Sequence, residues 1–285
     1  MASTGMYMGV LAQQFQWNIV WQFLFKPAIV QGVIITVVLA VLAQITGTVI
    51  GLLIYLLRRT ILRPVADFYI WIFRGTPLLV QLLFLTNIFP YLGLTRALNS
   101  STIFNDLGFQ YIPLSAFLGA FLAFSFNEGA YMAEIMRAGI DAIDPGQMEA
   151  AKSLGMSYGL SMRRVILPQA ARVIIPPLGN EFNSMLKTTS LASAFGVLEL
   201  YNAGAGIGQS LFQPLELAVD LSIWYLLMTT LWGFVQSYLE RRFNASTTDG
   251  MTNTTFLDRI LGRGNKSPSP TKETTAEAAI SGGRR

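Results

Sequence analysis

The chain has 285 residues, 52% of them apolar and only 13% charged, with a formal net charge of +4. It contains no cysteine and no histidine, which excludes disulfides, thiolate chemistry, imidazole metal ligation and histidine general bases. Its basic residues flank long apolar runs, so the positive balance reads as membrane topology and not as nucleic-acid binding.

The N-terminus lacks a basic stretch followed by a short apolar core, so insertion is expected to rely on the first true span. Between 11 and 26, Phe15, Ile19, Phe23 and Lys26 recur at helical spacing, and Trp17 and Trp21 suit the headgroup layer. Residues 1–27 therefore read either as an interfacial helix or as an irregular lead-in. A first span is expected over about 28–57, ending at Arg58, Arg59 and Arg63, with Pro64 breaking the helix. A second covers about 67–91 and is expected to begin irregularly at Arg74-Gly75-Thr76-Pro77. A polar loop, 92–111, leads to a third span at about 113–137. A hydrophilic segment follows at 141–172. A fourth span, about 173–196, is expected to be broken at Pro176-Pro177. The glycine-rich link 202–208 reads as a flexible lip or an ordinary loop, and a fifth span covers about 216–238.

The fold class is thus an all-α membrane protein of about five transmembrane helices, with a membrane domain at 28–242. Arg58, Arg59 and Arg63, then Lys152, Arg163, Arg164 and Arg172, then Arg241 and Arg242 fall on one side of such a bundle. The positive-inside rule makes that side cytoplasmic, with the N-terminus outside and the C-terminus inside. The tail at 243–285 is polar and reads as disordered; its Asn244-Ala245-Ser246 and Asn253-Thr254-Thr255 triplets are chance matches to a glycosylation site.

A hydrophilic helix-loop-helix between spans has little use in lipid but suits a handle for a soluble partner. Asp144 can cap a helix, Pro145 fits its first position, and Gln147 can complete a capping box. Glu149-Ala150-Ala151 continues that helix, Gly155 permits a sharp turn, and a second helical piece over 158–167 is expected to end at Pro168. Nine residues separate Gly155 from Val165, and Ile166-Leu167-Pro168 follow. This pattern resembles the coupling loop of binding-protein-dependent ABC importer permeases, with Val165 in place of the usual isoleucine. Phe73-Arg74-Gly75-Thr76-Pro77, Ala130-Tyr131-Met132-Ala133-Glu134-Ile135, Pro168-Gln169-Ala170 and Leu186-Lys187-Thr188-Thr189-Ser190-Leu191 are similar to the polar amino-acid subgroup of that family.

The resemblance implies a type I importer permease with a second permease subunit, identical or paralogous, two cytoplasmic ABC ATPase subunits and an extracytoplasmic solute-binding protein. It also implies that Glu149, Ala150, Ala151, Gly155, Leu167 and Pro168 couple to the ATPase, with Glu149 orienting the loop by hydrogen bonds. The chain has no phosphate-binding Gly-x-x-x-x-Gly-Lys-[Ser/Thr] loop; Gly264-Asn265-Lys266-Ser267 lacks the glycine before lysine. No cofactor is therefore expected on this chain, and ATP and Mg²⁺ would sit on the partner.

Ionisable groups within spans point to function. Asn127, Tyr131 and Glu134 share one face of span three, and Glu128 lies about 100° round from it. Asn180, Asn183, Ser184 and Lys187 share a face of span four. These two stripes are expected to face each other or a watery cavity, which makes Asn127, Glu128, Tyr131, Asn180, Asn183 and Lys187 the candidate path. Lys187 either attracts a substrate carboxylate or pairs with Glu128 or Glu134. Glu128 either favours a cationic amino acid or makes a helix–helix hydrogen bond. Glu134 with Arg137 reads as a surface pair. An ion-coupled secondary transporter would also use broken, charged spans, and an intramembrane enzyme could use Glu134 or Asp220 as an acid. The former leaves the handle unexplained; the latter lacks a nucleophile–base pair.

Overall fold

The structure, a computed structural model, describes residues 15–99 and 113–244. The expectations for the first residues, for the loop at 100–111 and for the tail beyond 244 lie outside the described residues. The elements in chain order are α1 (Trp17–Phe23), α2 (Pro27–Leu57), α3 (Arg63–Gly75), α4 (Leu78–Tyr91), α5 (Thr95–Asn99), α6 (Leu114–Asp141), α7 (Pro145–Ser153) and α8 (Tyr158–Ser161). A π-helical turn, Met162–Ile166, then leads into α9 (Leu167–Thr188), a 3₁₀ segment (Thr189–Phe195), α10 (Leu200–Ser210) and α11 (Pro214–Asn244). No strand occurs among the described residues.

Two helices, α2 and α11, are long and apolar enough to cross a bilayer alone, and α3 with α4 qualifies as a pair bent by 106°. The expected third and fourth spans are α6 and α9, of 28 and 22 residues. They have the length to cross but carry internal charges, Glu128 and Glu134 on α6 and Glu181 and Lys187 on α9. The lead-in is helical: α1 buries Val20 and Phe23 and exposes Trp17 and Trp21. It is tied to α11, where Trp224 Nε1 donates to Leu24 O at 2.8 Å and Gln16 N donates to Glu216 Oε1 at 3.0 Å.

The central seam joins α2 to α6. Without a hydrophobic force between helices in lipid, small residues that let backbones approach drive packing. Ala40 and Ala43 are fully buried on α2. A Cβ placed on Gly47 would lie 2.6 Å from Glu128 Cβ, and one on Gly129 would lie 2.6 Å from Ile50 Cγ2; Gly51 abuts Met132. Around the seam, Ile29, Leu39, Leu82, Phe124, Leu186 and Leu200 form the core.

Four local expectations are corrected. The second span does not begin irregularly: α3 is a regular helix, and the break falls after it. Thr76 is extended (φ −109°, ψ 144°) because the following Pro77 disfavours the helical region. The break leaves carbonyls open, and side chains close them. Gln81 Nε2 donates to Phe73 O at 2.9 Å and Thr76 O at 3.0 Å, and Asn127 Nδ2 donates to Phe73 O and Gln81 Oε1, each at 3.0 Å. Pro168 opens α9 instead of ending a helix, because the preceding turn widens so that Leu167 N reaches Met162 O, five residues back. Pro176 and Pro177 lie inside an unbroken α9, where α11 crosses: Trp232 Nε1 donates to Gly179 O at 2.7 Å, and Gly179 packs against Gln236. The expected unwinding comes later, as the 3₁₀ segment. The glycine-rich link is the helix α10. Glu199 caps it by accepting from Tyr201 N (2.9 Å) and Asn202 N (2.8 Å), and Gly204 admits Leu221 at close range.

Replacing Gly51 by leucine forces α2 from α6 and is expected to destabilise the purified protein by about 1–3 kcal/mol, read as a fall in thermal midpoint in detergent. Gln81→Leu and Asn127→Leu are each expected to cost about 1–3 kcal/mol. The double variant should cost less than the sum, since both side chains serve the Phe73 carbonyl, and a double-mutant cycle on thermal unfolding measures the difference.

Candidate transport cavity and coupling loop

The break between α3 and α4 has a second consequence. It opens a cavity of about 540 Å³ against α6 and α9, lined among others by Arg74, Asn127, Glu128, Tyr131, Glu181 and Ser184. Arg74 lies over the Tyr131 ring, 5.3 Å from its centroid. Glu128 is buried at the seam and accepts from Gln44 Nε2 at 2.9 Å, so one side of its carboxylate is held from behind by α2. The cavity thus presents one guanidinium and two carboxylates among amide and hydroxyl groups. Such a site can hold a small zwitterion and accommodate one further positive charge.

Asn127, Glu128 and Tyr131 line this cavity as expected; Asn180, Asn183 and Lys187 do not. Asn180 Oδ1 accepts from Gln236 Nε2 of α11 at 3.0 Å, and Asn183 Oδ1 is buried without a hydrogen-bond partner among the described residues. The polar residues of α9 that reach the cavity are Glu181, Ser184 and Thr188, spaced i, i+3, i+7, with Met185 beside them. That stripe lies one residue, about 100°, round from Asn180, Asn183 and Lys187, which have the same spacing. The spacing signal was present for both stripes; the rotation of α9 decides between them. Lys187 lines a separate cavity of about 530 Å³. It does not pair with either glutamate. Glu134 is held by Arg58, at 2.5 Å, and by Arg137, at 2.9 Å, while Glu128 takes Gln44. With two arginines on it, Glu134 is no free acid for catalysis.

The hydrophilic segment folds as a capped helical elbow. Asp144 Oδ1 accepts from Gly146 N at 2.7 Å and starts α7. No capping box forms, because Gln147 Oε1 instead accepts from Gln169 Nε2 of α9 at 3.2 Å. At the other end of α7, Gly155 N donates to Lys152 O at 2.9 Å and Met156 N donates to Ala151 O at 3.2 Å. These paired bonds make a Schellman motif, which needs a left-handed residue after the cap, and Gly155 has φ +80°. Ser157 then caps α8. Ala151 is buried, whereas Glu149 and Ala150 are exposed. The exposed Glu149 carboxylate makes no hydrogen bond among the described residues, which leaves it to partners outside them. Leu154 is 83% exposed beside exposed Tyr158 and Leu160, an apolar tip on a polar elbow.

The elbow meets the ends of the first and third spans. Arg59 Nη1 donates to Tyr158 Oη at 3.5 Å. Arg58 bridges Asp67 of α3 and Glu134 of α6, and Arg137 bridges Glu134 and Asp141. The first basic cluster and the elbow that carries the second therefore share one end of the bundle.

Residues 47–245 match the model of the family described as the binding-protein-dependent transport system inner membrane component. The arginine transport system permease protein ArgU of Corynebacterium glutamicum is 42% identical over 249 residues, covering 84% of this chain and 76% of ArgU. The glutamine transport system permease protein GlnP of Escherichia coli K12 is 36% identical, covering 80% of this chain and 98% of GlnP. Among solved structures, an amino acid ABC transporter determined with histidines is 38% identical, with a TM-score of 0.65 over 76% of this chain and 95% of that one. The methionine transporter MetNI, in an inward-facing form, shares the fold at 18% identity and a TM-score of 0.59. None of these relatives favours the ion-coupled alternative. With the elbow, the bent second span and these relatives in agreement, the chain belongs to the family of binding-protein-dependent transport system inner membrane components, and it is a multi-pass permease subunit of an ABC importer in the plasma membrane.

Proposed function

We propose that this permease carries polar amino acids, with cationic ones preferred, through the cavity between α3–α4, α6 and α9. The observation that carries the reading is the arrangement of Arg74 on one wall and Glu128 and Glu181 on the others. An α-carboxylate would be drawn to Arg74, and an α-ammonium and a positive side chain to the two glutamates. Relatives named for arginine and a relative structure holding histidines support this class, while GlnP is named for glutamine.

In this reading two permease chains, identical or paralogous, stand on two cytoplasmic ATPase subunits that bind ATP and Mg²⁺, and an extracytoplasmic solute-binding protein delivers the cargo. The elbow end of the bundle is cytoplasmic, as its arginines require, which leaves the N-terminus outside and the C-terminus inside. The partner's groove takes Glu149, Ala150 and the Leu154 tip, Ala151 anchors α7 to the permease, and Gly155 fixes the turn. Leu167 and Pro168 pass the displacement into α9. Nucleotide-driven closure of the partner then rocks the helices between outward and inward states.

Glu181→Gln removes one of two negative charges and is expected to reduce the preference for arginine over glutamine by about tenfold, the scale of one charge-assisted hydrogen bond. Competitive uptake in proteoliposomes measures it, and an unchanged preference would overturn the assignment of the cavity. Gly155→Leu forces a branched side chain into the left-handed region at a cost of about 1–2 kcal/mol. The population of the capped elbow should fall by about 5–30-fold. The variant should insert normally and lose most ATP-driven uptake; full uptake would remove the elbow from the coupling path.

A further inference from the structure

Lys187 is left without an ion pair among the described residues, on the flank of α9 that turns away from the transport cavity. The cavity it lines, about 530 Å³, is open on one side and bordered by Ser190 of the 3₁₀ segment, Tyr201 of α10, and Ser222, Tyr225, Leu226 and Thr229 of α11. The proton inventory of these groups is informative. Ser222 Oγ donates to Ala218 O at 2.7 Å, Thr229 Oγ1 donates to Tyr225 O at 2.8 Å, and Tyr225 Oη donates to Glu199 Oε2 at 3.2 Å. Each of those three hydroxyls has spent its only proton inside the protein and keeps lone pairs to offer. Along α11 the cavity therefore presents acceptors only. Along the end of α9 it presents a full positive charge, and the Ser190 hydroxyl, with no hydrogen bond of its own among the described residues, adds a donor.

Those walls are held in place. Glu199 is fully buried and binds Tyr201 N, Asn202 N and Tyr225 Oη together, and Thr36 Oγ1 accepts from the neighbouring Leu200 N at 3.1 Å. A single carboxylate thus fixes the start of α10 and the orientation of the Tyr225 ring. Tyr225 cannot turn toward Lys187 without breaking its bond to Glu199.

We propose that this cavity is a second amino-acid station on the same chain, binding the cargo's α-carboxylate at Lys187 and Ser190 and its α-ammonium at Ser222, Thr229 and Tyr225. It contains no carboxylate facing the ligand, so it reads the zwitterionic head that all amino acids share and leaves the side chain unread. Selection belongs to the first cavity, with Glu128 and Glu181. The ligand class rests on the amino-acid reading above. A phospholipid headgroup offers the same oxyanion, so the test separates the two sources.

The test is equilibrium binding of radiolabelled arginine to the purified importer in phosphatidylcholine nanodiscs. Two arginines per permease chain are expected. Lys187→Met should remove one by weakening that site about tenfold or more, Lys187→Arg should restore it, and Glu181→Gln should weaken only the other. Thr229→Val, which keeps the volume and removes an acceptor, repeats the experiment if Lys187→Met fails to assemble. One arginine per wild-type chain, lost with Glu181→Gln and indifferent to Lys187, would overturn the second station and leave the first standing. One arginine lost only with Lys187→Met would support the second station and overturn the first. No binding to the wild type would overturn both. If phosphatidylglycerol in the disc abolishes the Lys187-dependent equivalent, the anion held there is a lipid phosphate, and the cargo assignment falls.

Discussion

A backbone opened inside a bilayer has no water to bond with, so each exposed carbonyl must find a partner in the protein. The break at Thr76–Pro77 imposes that demand at the centre of this chain, and Gln81 and Asn127 meet it. The polar groups beside the break are arranged around this solution. Asn127 must come from α6, which requires α6 to lie close to α3 and α4; a Cβ on Gly119 would lie 2.5 Å from Thr86 Cα of α4, and one on Gly129 would lie 2.7 Å from Tyr69 Oη of α3. The neighbouring α2–α6 seam buries Glu128 against Gln44. The bend also withdraws α3 from the line of α4 and leaves the space that the cavity occupies. One proline therefore produces both the defect and the site, and the amide side chains that repair the defect become the cavity's wall.

Charge is sorted along the bundle in a related way. At the elbow end, Arg58 and Arg137 are each shared between two carboxylates, and these pairs link α2, α3 and α6. Such partly exposed pairs add little stability singly, but a shared guanidinium fixes geometry. At the cavity no guanidinium is shared in this way among the described residues: one arginine stands over an aromatic ring, with two carboxylates on the other walls. The arginines of the first cluster lock helix ends together, while Arg74 makes no ion pair among the described residues.

Much of this was legible in the sequence because it rests on local chemistry. Asp144 caps a helix and Gly155 ends it, as short-range spacing indicated, and the left-handed φ of Gly155 supplies the reason. The spans follow from apolar length. What sequence could not resolve depended on neighbours. Pro176 and Pro177 look like helix breakers until α11 is seen to cross there with Trp232 and Gln236. Gly204 and Gly208 look like a flexible link until Leu221 and Leu217 are seen against them. The polar stripe Asn180, Asn183 and Lys187 lies one residue away from the cavity-facing one; both have the same period, and only tertiary packing sets the rotation. Gln81 had no local signal: an amide near the start of an apolar helix becomes informative only once the opened carbonyls beside it are known.

The covalent order of the chain gives the elbow its leverage. It lies between α6 and α9, and these helices carry the polar walls of the transport cavity. Glu128 precedes Asp141 by 13 residues and Glu181 follows Leu167 by 14, so the two cavity carboxylates sit about 20 Å and 21 Å along their helices from the elbow. Two stiff arms of nearly equal length rise from one joint. A rotation of the joint as a unit therefore moves Glu128 and Glu181 by similar amounts, and a rotation that splays its two ends changes the distance between them. The α7–α9 link through Gln147 and Gln169 favours motion as a unit, since splaying would break it. Arg58 on Glu134 fastens the α6 arm to α2 and α3 below the cavity, while among the described ion pairs none fastens α9. The α9 arm is held instead by hydrogen bonds from α11, Trp232 Nε1 to Gly179 O and Gln236 Nε2 to Asn180 Oδ1, so under the proposed coupling α9 and α11 would move together and the cavity would change shape on the Glu181 side.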